Sequence, residues 1–363
     1  MRRSICCSML VVLANLSAAA NVPIEQIQLP AGFHIEVVAR VANARQMALG
    51  DNNVLYVGSM TEGKVVAVQL DKSYIAGQQY VIASGLTLPI GVAYRDGNLY
   101  VSAVSRILRY DQIGQHLSKP PAAVVIRDDL PKENHHGGRY IGFGPDGYLY
   151  VPIGAPCNIC EPEPDRYAAI LRMKPDGSAL TTFARGIRNT VGFDWQPASK
   201  QLWFTDNGRD LLGDDVPSDE LNRATAAGMH FGYPYCHAGS VSDPEFGAKH
   251  PCSKFTAPVQ NLGAHVASLG MRFYTGAQFP AAYRNHIFIA EHGSWNRSRK
   301  SGYRISVVQV ENGKAVSYKP FATGWLQGDS VWGRPVDLLN LPDGSLLVSD
   351  DFADAIYRIR YAP

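Results

Sequence analysis

One short pattern recurs six times along this chain: a turn rich in Asp, Asn or Gly, then a strand of aromatic and β-branched residues. The copies lie at residues 51–58, 96–102, 146–151, 199–206, 285–290 and 343–350. Several run on into a further strand, at residues 63–68, 106–110, 303–308 and 355–361. A single hairpin cannot bury both of its faces. Repeats of roughly 40–55 residues, each worth about four strands, stack around an axis and close a ring. Six copies therefore predict an all-β chain folded as a six-bladed β-propeller. A preceding strand at residues 33–39 alternates in the same way. The spacing stretches after the fourth copy, where residues 207–284 exceed the needs of one blade. Long loops inside a compact fold are usually functional.

The remainder of the composition agrees. The 34 Gly, 23 Pro, 18 Tyr and 13 Phe give the turn-rich, aromatic character of an all-β protein. A formal net charge of +2 leaves no basic surface for nucleic acid. The first 20 residues read as a secretory signal peptide: Arg2 and Arg3, an apolar stretch from Met9 to Ala14, and the small residues Ala18, Ala19 and Ala20. The twin arginine lacks the rest of its signature, and Cys6 and Cys7 lack a lipobox context. No other apolar run reaches the ~18 residues of a membrane span. Residues 21–363 are thus expected to form one exported propeller domain, periplasmic or secreted.

Four cysteines remain in that domain: Cys157, Cys160, Cys236 and Cys252. Export to an oxidising compartment favours two disulfides over a zinc site. Of the three pairings, Cys157–Cys160 with Cys236–Cys252 closes the shortest loops. Glu161 after Cys160, where c-type haem attachment needs histidine, excludes that cofactor.

Polar residues cluster at four loop positions beside strands. They are His135-His136-Gly137-Gly138-Arg139, then Arg185 to Phe193 with Arg188-Asn189 at its centre, then Asp206-Asn207-Gly208-Arg209-Asp210 with Asp219-Glu220-Leu221-Asn222, and finally Gly333-Arg334-Pro335-Val336-Asp337. Propeller loops gather over the central channel, so clusters far apart in sequence are expected to meet there.

With these motifs in their shared order, and with Gly232-Tyr233-Pro234 and Gly293-Ser294-Trp295-Asn296-Arg297 between them, the chain resembles the soluble pyrroloquinoline-quinone-dependent sugar dehydrogenases, most closely their sorbosone dehydrogenase-like branch. The resemblance runs from about Leu29 to Tyr361. It implies pyrroloquinoline quinone (PQQ) and calcium as cofactors, a sugar or sugar aldehyde as substrate, and an electron acceptor that the residues do not identify. It also implies a reaction. A histidine takes the hydroxyl proton of the sugar, a hydride passes to the quinone carbonyl carbon, and calcium polarises that carbonyl as a Lewis acid.

By the same resemblance His135, four residues ahead of its arginine, is the general base, with His136 the adjacent alternative; imidazole titrates near working pH. Arg188 and Asn189 match the pair that contacts the quinone, the guanidinium stabilising developing negative charge. Gly208 and Arg209 match the place where backbone carbonyls hold calcium, an oxygen-seeking cation. Asp219 and Glu220 brace that loop. Arg334 matches one of two arginines that neutralise cofactor carboxylates. The pattern is broken at three points: Val336 stands where the second arginine belongs, the substrate glutamine has no counterpart around Leu88-Pro89-Ile90-Gly91, and Arg297 or Lys300 must replace a cofactor lysine. Trp295, Tyr233 and Trp332 are candidates for flat walls against planar ligands. Two other readings compete: a calcium-dependent lactonase, which needs side-chain ligands converging on an axial metal, and a non-catalytic propeller that binds a glycan or a partner.

Overall fold

Each of the six hairpins extends into a sheet with four antiparallel strands, one sheet gaining a fifth, parallel strand at its edge, and the six sheets form the blades of a propeller. The structure is a computed structural model that describes residues 22–363; the signal-peptide reading of residues 1–20 lies outside the described residues. Every recurring copy supplies the second strand of its blade: Val54–Ser59, Asn98–Ala103, Leu149–Ile153, Leu202–Asp206, Ile287–Glu291 and Leu346–Asp350. At the Asp146-Gly147 turn the glycine has φ of +81°, a left-handed conformation that a hairpin reversal requires and a side chain would strain.

The ring closes by exchange of chain ends. Phe33–Arg40 pairs antiparallel with Ala355–Tyr361, Phe33 opposite Tyr361, so the first strand completes the last blade. We number the blades from residue 44: blade 1 spans residues 44–83, blade 2 92–127, blade 3 142–185, blade 4 193–264, blade 5 268–322, and blade 6 335–361 with the first strand.

The period-two alternation of the strands explains how both faces of every blade become dry. In blade 1, Leu55 and Val57 pack against blade 6, while Val54 and Tyr56 pack against blade 2. In blade 4, Phe204 faces blade 3 and Trp203 faces blade 5. Six apolar cores result, one per interface between blades. A smaller seventh cluster lies on the axis itself, where Ile90, Val191, Leu269 and Val336 meet from four blades and plug the channel.

The extra length in residues 207–284 enters at two points of blade 4. One is the loop between Leu202–Asp206 and Ser218–Ala224, the other the longer excursion before Gln260–Ala264. The excursion sends Met229–His230 back to pair in parallel with the edge of blade 3. It is stapled by the Cys236–Cys252 disulfide, and Cys157 is bonded to Cys160, which is the expected pairing. None of the helices among the described residues is long and apolar enough to cross a membrane.

Candidate active site

The first strand of each blade starts, and the second strand ends, at the same mouth of the channel. Loops at that mouth line a cavity of about 410 Å³ above the axial plug. Blade 1 contributes Arg45 and Met60, the loop before blade 3 His136, and blade 4 Asn189, Asn207, Gly208, Asp210 and Asp219. The loops flanking blade 5 add His265, His292, Trp295 and Asn296, and blade 6 adds Arg334. Two of the four sequence clusters, and one residue from each of the other two, thus share one space. An opening of about 500 Å³ at the other end of the channel holds none of the expected site residues.

The imidazole that reaches this cavity is His136. His135 is exposed and absent from the cavity wall, its ring centroid 4.1 Å from that of His136. His136 has φ of +48°, and the neighbouring loop makes room for it at Gly154, where a Cβ would lie 2.5 Å from the Cβ of His136. Arg139 is buried beneath, donating to the carbonyls of Val104, His136 and Pro131, so it holds the loop's shape rather than facing the cavity. His136 Nδ1 is 2.9 Å from the carbonyl oxygen of Ala155. A carbonyl only accepts, so Nδ1 carries the hydrogen and Nε2 keeps its lone pair. Burial, and then the Arg188 guanidinium nearby, holds the ring well below the usual imidazole range, hence neutral.

Arg188 is almost wholly buried. Its Nε donates to Asn158 O (2.9 Å), Nη1 to Asn207 O (3.2 Å), and Nη2 to Asn158 Oδ1 (2.8 Å) and Asp210 Oδ2 (2.9 Å). Four of its five N–H groups are engaged, and one Nη1 hydrogen is left for a ligand. The backbone N–H groups of Arg188 and Asn189 both donate to Asp206, at 2.9 and 2.6 Å.

Asp219 braces the next loop, accepting from Gly208 N at 2.9 Å and Ser268 N at 3.0 Å. The carbonyl oxygens of Gly208 and Arg209 accept no hydrogen bond among the described residues. The Arg209 side chain turns away to Asp243 (2.6 Å) and Glu245 (3.2 Å), and of the Gly208-Arg209 pair only Gly208 lines the cavity. Asp206, Asp219 and Glu220 form a buried acidic group below this loop. Burial raises Asp219 to about 6 and Glu220 to about 7; for Asp206, burial and then Glu220 push it well above the carboxylate range. Among the described residues no group of three or more His, Cys, Asp or Glu side chains is arranged to hold a metal ion.

On the opposite wall Arg334 donates to the carbonyls of His292 (3.0 Å) and Gly293 (2.6 Å) and lies over the Tyr303 ring. Val336, beside it in sequence, is buried in the axial plug. A second cation does reach the cavity, from a place the motifs do not mark: Arg45, on the first strand of blade 1. It is buried, paired with Asp351 at 2.7 Å, and its Nε has no partner. Asp351 also accepts from or pairs with His292 at 2.8 Å. Asn296 lines the same wall with both amide atoms buried and unpartnered. Arg297 points elsewhere, to Asp215 at 2.7 Å, and neither it nor Lys300 lines the cavity. Of the three aromatic wall candidates only Trp295 is at the cavity, 71% exposed at the rim. Tyr233 is buried, with Cys160 N donating to its hydroxyl, and Trp332 stacks on Trp325.

A glucose/sorbosone dehydrogenase family model matches residues 91–354, from the start of blade 2 to the turn before the strand Ala355–Tyr361 of blade 6. The chain belongs to the glucose/sorbosone dehydrogenase family. Its length is shared with an uncharacterized protein of Borreliella burgdorferi, 36% identical over 366 aligned positions that cover 96% of this chain and 95% of that one. Two solved structures have the same fold. The calcium structure of a Trichoderma reesei carbohydrate-active enzyme of family AA12 superposes with a TM-score of 0.79 at 20% identity, covering 95% of this family member and 100% of that chain. The holo PQQ domain of Coprinopsis cinerea pyranose dehydrogenase gives 0.76 at 18% identity, covering 92% and 97%.

Proposed function

We propose that this family member is an exported PQQ-dependent dehydrogenase that oxidises an aldose or sugar aldehyde, with His136 as the general base. The observation that carries the reading is the neutral His136, its Nε2 lone pair held toward the cavity that Arg188, Asn189 and the Gly208 loop also line. The role that sequence order suggests for His135 passes to its neighbour because His135 stands outside that cavity.

The residues fit the cofactors. PQQ is a flat polyanion, and Arg45, Arg188 and Arg334 bring three guanidinium groups to one cavity, with an unpartnered Arg45 Nε and an unpartnered Asn296 amide beside them. Calcium takes oxygen ligands, and the Gly208 and Arg209 carbonyls are free of hydrogen bonds on a loop braced by Asp219. When bound, calcium-loaded PQQ supplies the hydride acceptor. The chain's own residues do the rest. His136 Nε2 receives the hydroxyl proton of the sugar, Nδ1–H stays on the Ala155 carbonyl and fixes the ring, and the remaining Nη1 hydrogen of Arg188 is aimed at developing negative charge.

Reconstitution tests this. Purified apoprotein receives calcium and PQQ, and dye reduction is followed with a panel of aldoses and sugar aldehydes. The expected result is substrate-dependent reduction and an absorbance change from bound quinone. Absence of both discards the proposal and leaves a propeller that binds without catalysis.

A further inference from the structure

The loop of residues 155–160 touches three separate parts of the site. Its Ala155 carbonyl orients His136, and its Ala155 N–H donates to the Arg188 carbonyl at 2.8 Å. Asn158 then does two jobs with one side chain. Its Oδ1 accepts from Arg188 Nη2 at 2.8 Å and from the backbone N–H of Asp210 at 2.9 Å, while its Nδ2 donates to the Asp210 carbonyl at 3.1 Å. Its own backbone carbonyl accepts from Arg188 Nε. The loop is closed on itself by Cys157–Cys160 and anchored from outside by the buried Tyr233 hydroxyl, which accepts from Cys160 N at 3.1 Å.

We infer that Asn158 is a positioning residue of this site: it sets the guanidinium plane of Arg188 against the 207–210 loop, and the Cys157–Cys160 bridge holds it there. The inference rests on the function proposed above. A primary amide suits the task because it presents an acceptor to two donors and a donor to a carbonyl, which no aliphatic residue of its size does. The bridge suits it because it closes the four-residue segment on itself, adding to the packing of Cys157 and Ile159 against Ala168 and Tyr233. The position of Asn158 then decides where the single uncommitted Nη1 hydrogen of Arg188 points. Displacements of about 1 Å at such a group cost up to roughly a hundredfold in rate.

Two variants test it, Asn158→Ala and the double variant Cys157→Ser with Cys160→Ser, after circular dichroism has established that each is folded. Activity is measured with calcium and PQQ, splitting kcat from KM. Hydrogen exchange across residues 207–211 is measured on the apoprotein, without cofactor. Asn158→Ala is expected to lower kcat by about 10- to 100-fold with KM for sugar changed less than about threefold, and to speed exchange of the Asp210 amide, which loses its acceptor. The double-serine variant is expected to shift both readouts in the same direction by a smaller factor. Wild-type kcat together with wild-type Asp210 protection in Asn158→Ala overturns the inference. Unchanged values in the double-serine variant overturn the part assigned to the bridge. Should the wild-type protein reduce no dye with any sugar, the proposed function fails, and the Asp210 exchange still judges the positioning claim by itself.

Discussion

His136 and Ala155 are joined by a 2.9 Å contact between an imidazole nitrogen and a backbone carbonyl, and that contact settles which nitrogen of the ring can take a proton. With Nδ1 committed, Nε2 is the basic atom. Replacing His136 by Gln keeps the volume and removes the base, so kcat is expected to fall by about 10²–10⁴-fold while PQQ still binds. His135→Gln is expected to stay within about threefold of wild type, since that ring is exposed and outside the cavity. Steady-state dye reduction by the two variants side by side checks this; equal losses would return the base to His135.

Two of the three arginines named from sequence as cofactor ligands part company in the structure. Arg334 lines the cavity, whereas Arg297 is occupied by Asp215 outside it. Charge-assisted hydrogen bonds are worth about 1.5–3 kcal/mol, so Arg334→Ala is expected to weaken PQQ binding by roughly 10- to 150-fold. Arg297→Ala is expected to change it less than about twofold. Quenching of tryptophan fluorescence, with Trp295 at the rim, gives both affinities.

These outcomes mark where sequence reading succeeds and where it stops. The propeller was legible because every second strand repeats one turn and one alternation, at Asp51 as at Asp343, and alternation alone fixes which side chains face which neighbour. Arg188, Asn189 and the Gly208 loop were legible because each belongs to a contiguous motif. Arg45 carries no motif: only ring closure, which sets blade 1 against blade 6, brings it beside Asp351. Which of His135 and His136 reaches the cavity turns on one left-handed backbone angle and the absence of a side chain at Gly154, neither of which a spacing rule encodes. The role of Asn158 was invisible for the same reason, since its contacts to Arg188 and Asp210 lie 30 and 52 residues away in the chain.

Calcium is expected to stabilise the fold as well as serve the chemistry. A ligand that binds only the native state adds RT ln(1 + [L]/Kd), about 2.7 kcal/mol at a hundred times Kd. Thermal melts of apoprotein in excess calcium and in chelator should therefore differ by several degrees, with magnesium a weak substitute because it prefers a smaller, octahedral oxygen cage. Identical melting temperatures in calcium and chelator would remove the Gly208 and Arg209 carbonyls from consideration as ligands.

The buried acids beneath the calcium loop make a separate prediction about pH. Burial raises Glu220 to about 7, while in the unfolded chain a glutamate titrates near ~4.3. Between those values the native state holds a proton that the unfolded state has released. Stability contributed by this group therefore falls as pH rises through that window and levels off above it. Glu220 Oε1 accepts from Ala238 N and Oε2 from Asn222 Nδ2, and the Asn222 Oδ1 is buried without a partner. A rotated Asn222 amide accepts from a glutamine at this position, and its NH2 then takes the unpartnered place of Oδ1, so Glu220→Gln exchanges one unpaired amide atom for another at a cost that does not depend on pH. The variant has no charge to bury, and its melting temperature is expected to rise relative to wild type as pH goes from 5 to 8, the gap reaching on the order of 1–3 kcal/mol. Asp206 and Asp219 remain in both proteins, but the Glu220 charge also raises Asp206, so the difference between the two melting curves reports Glu220 together with its effect on Asp206. A gap that stays constant across that range would mean that Glu220 is already ionised at pH 5, held by its two hydrogen-bond donors against the cost of burial.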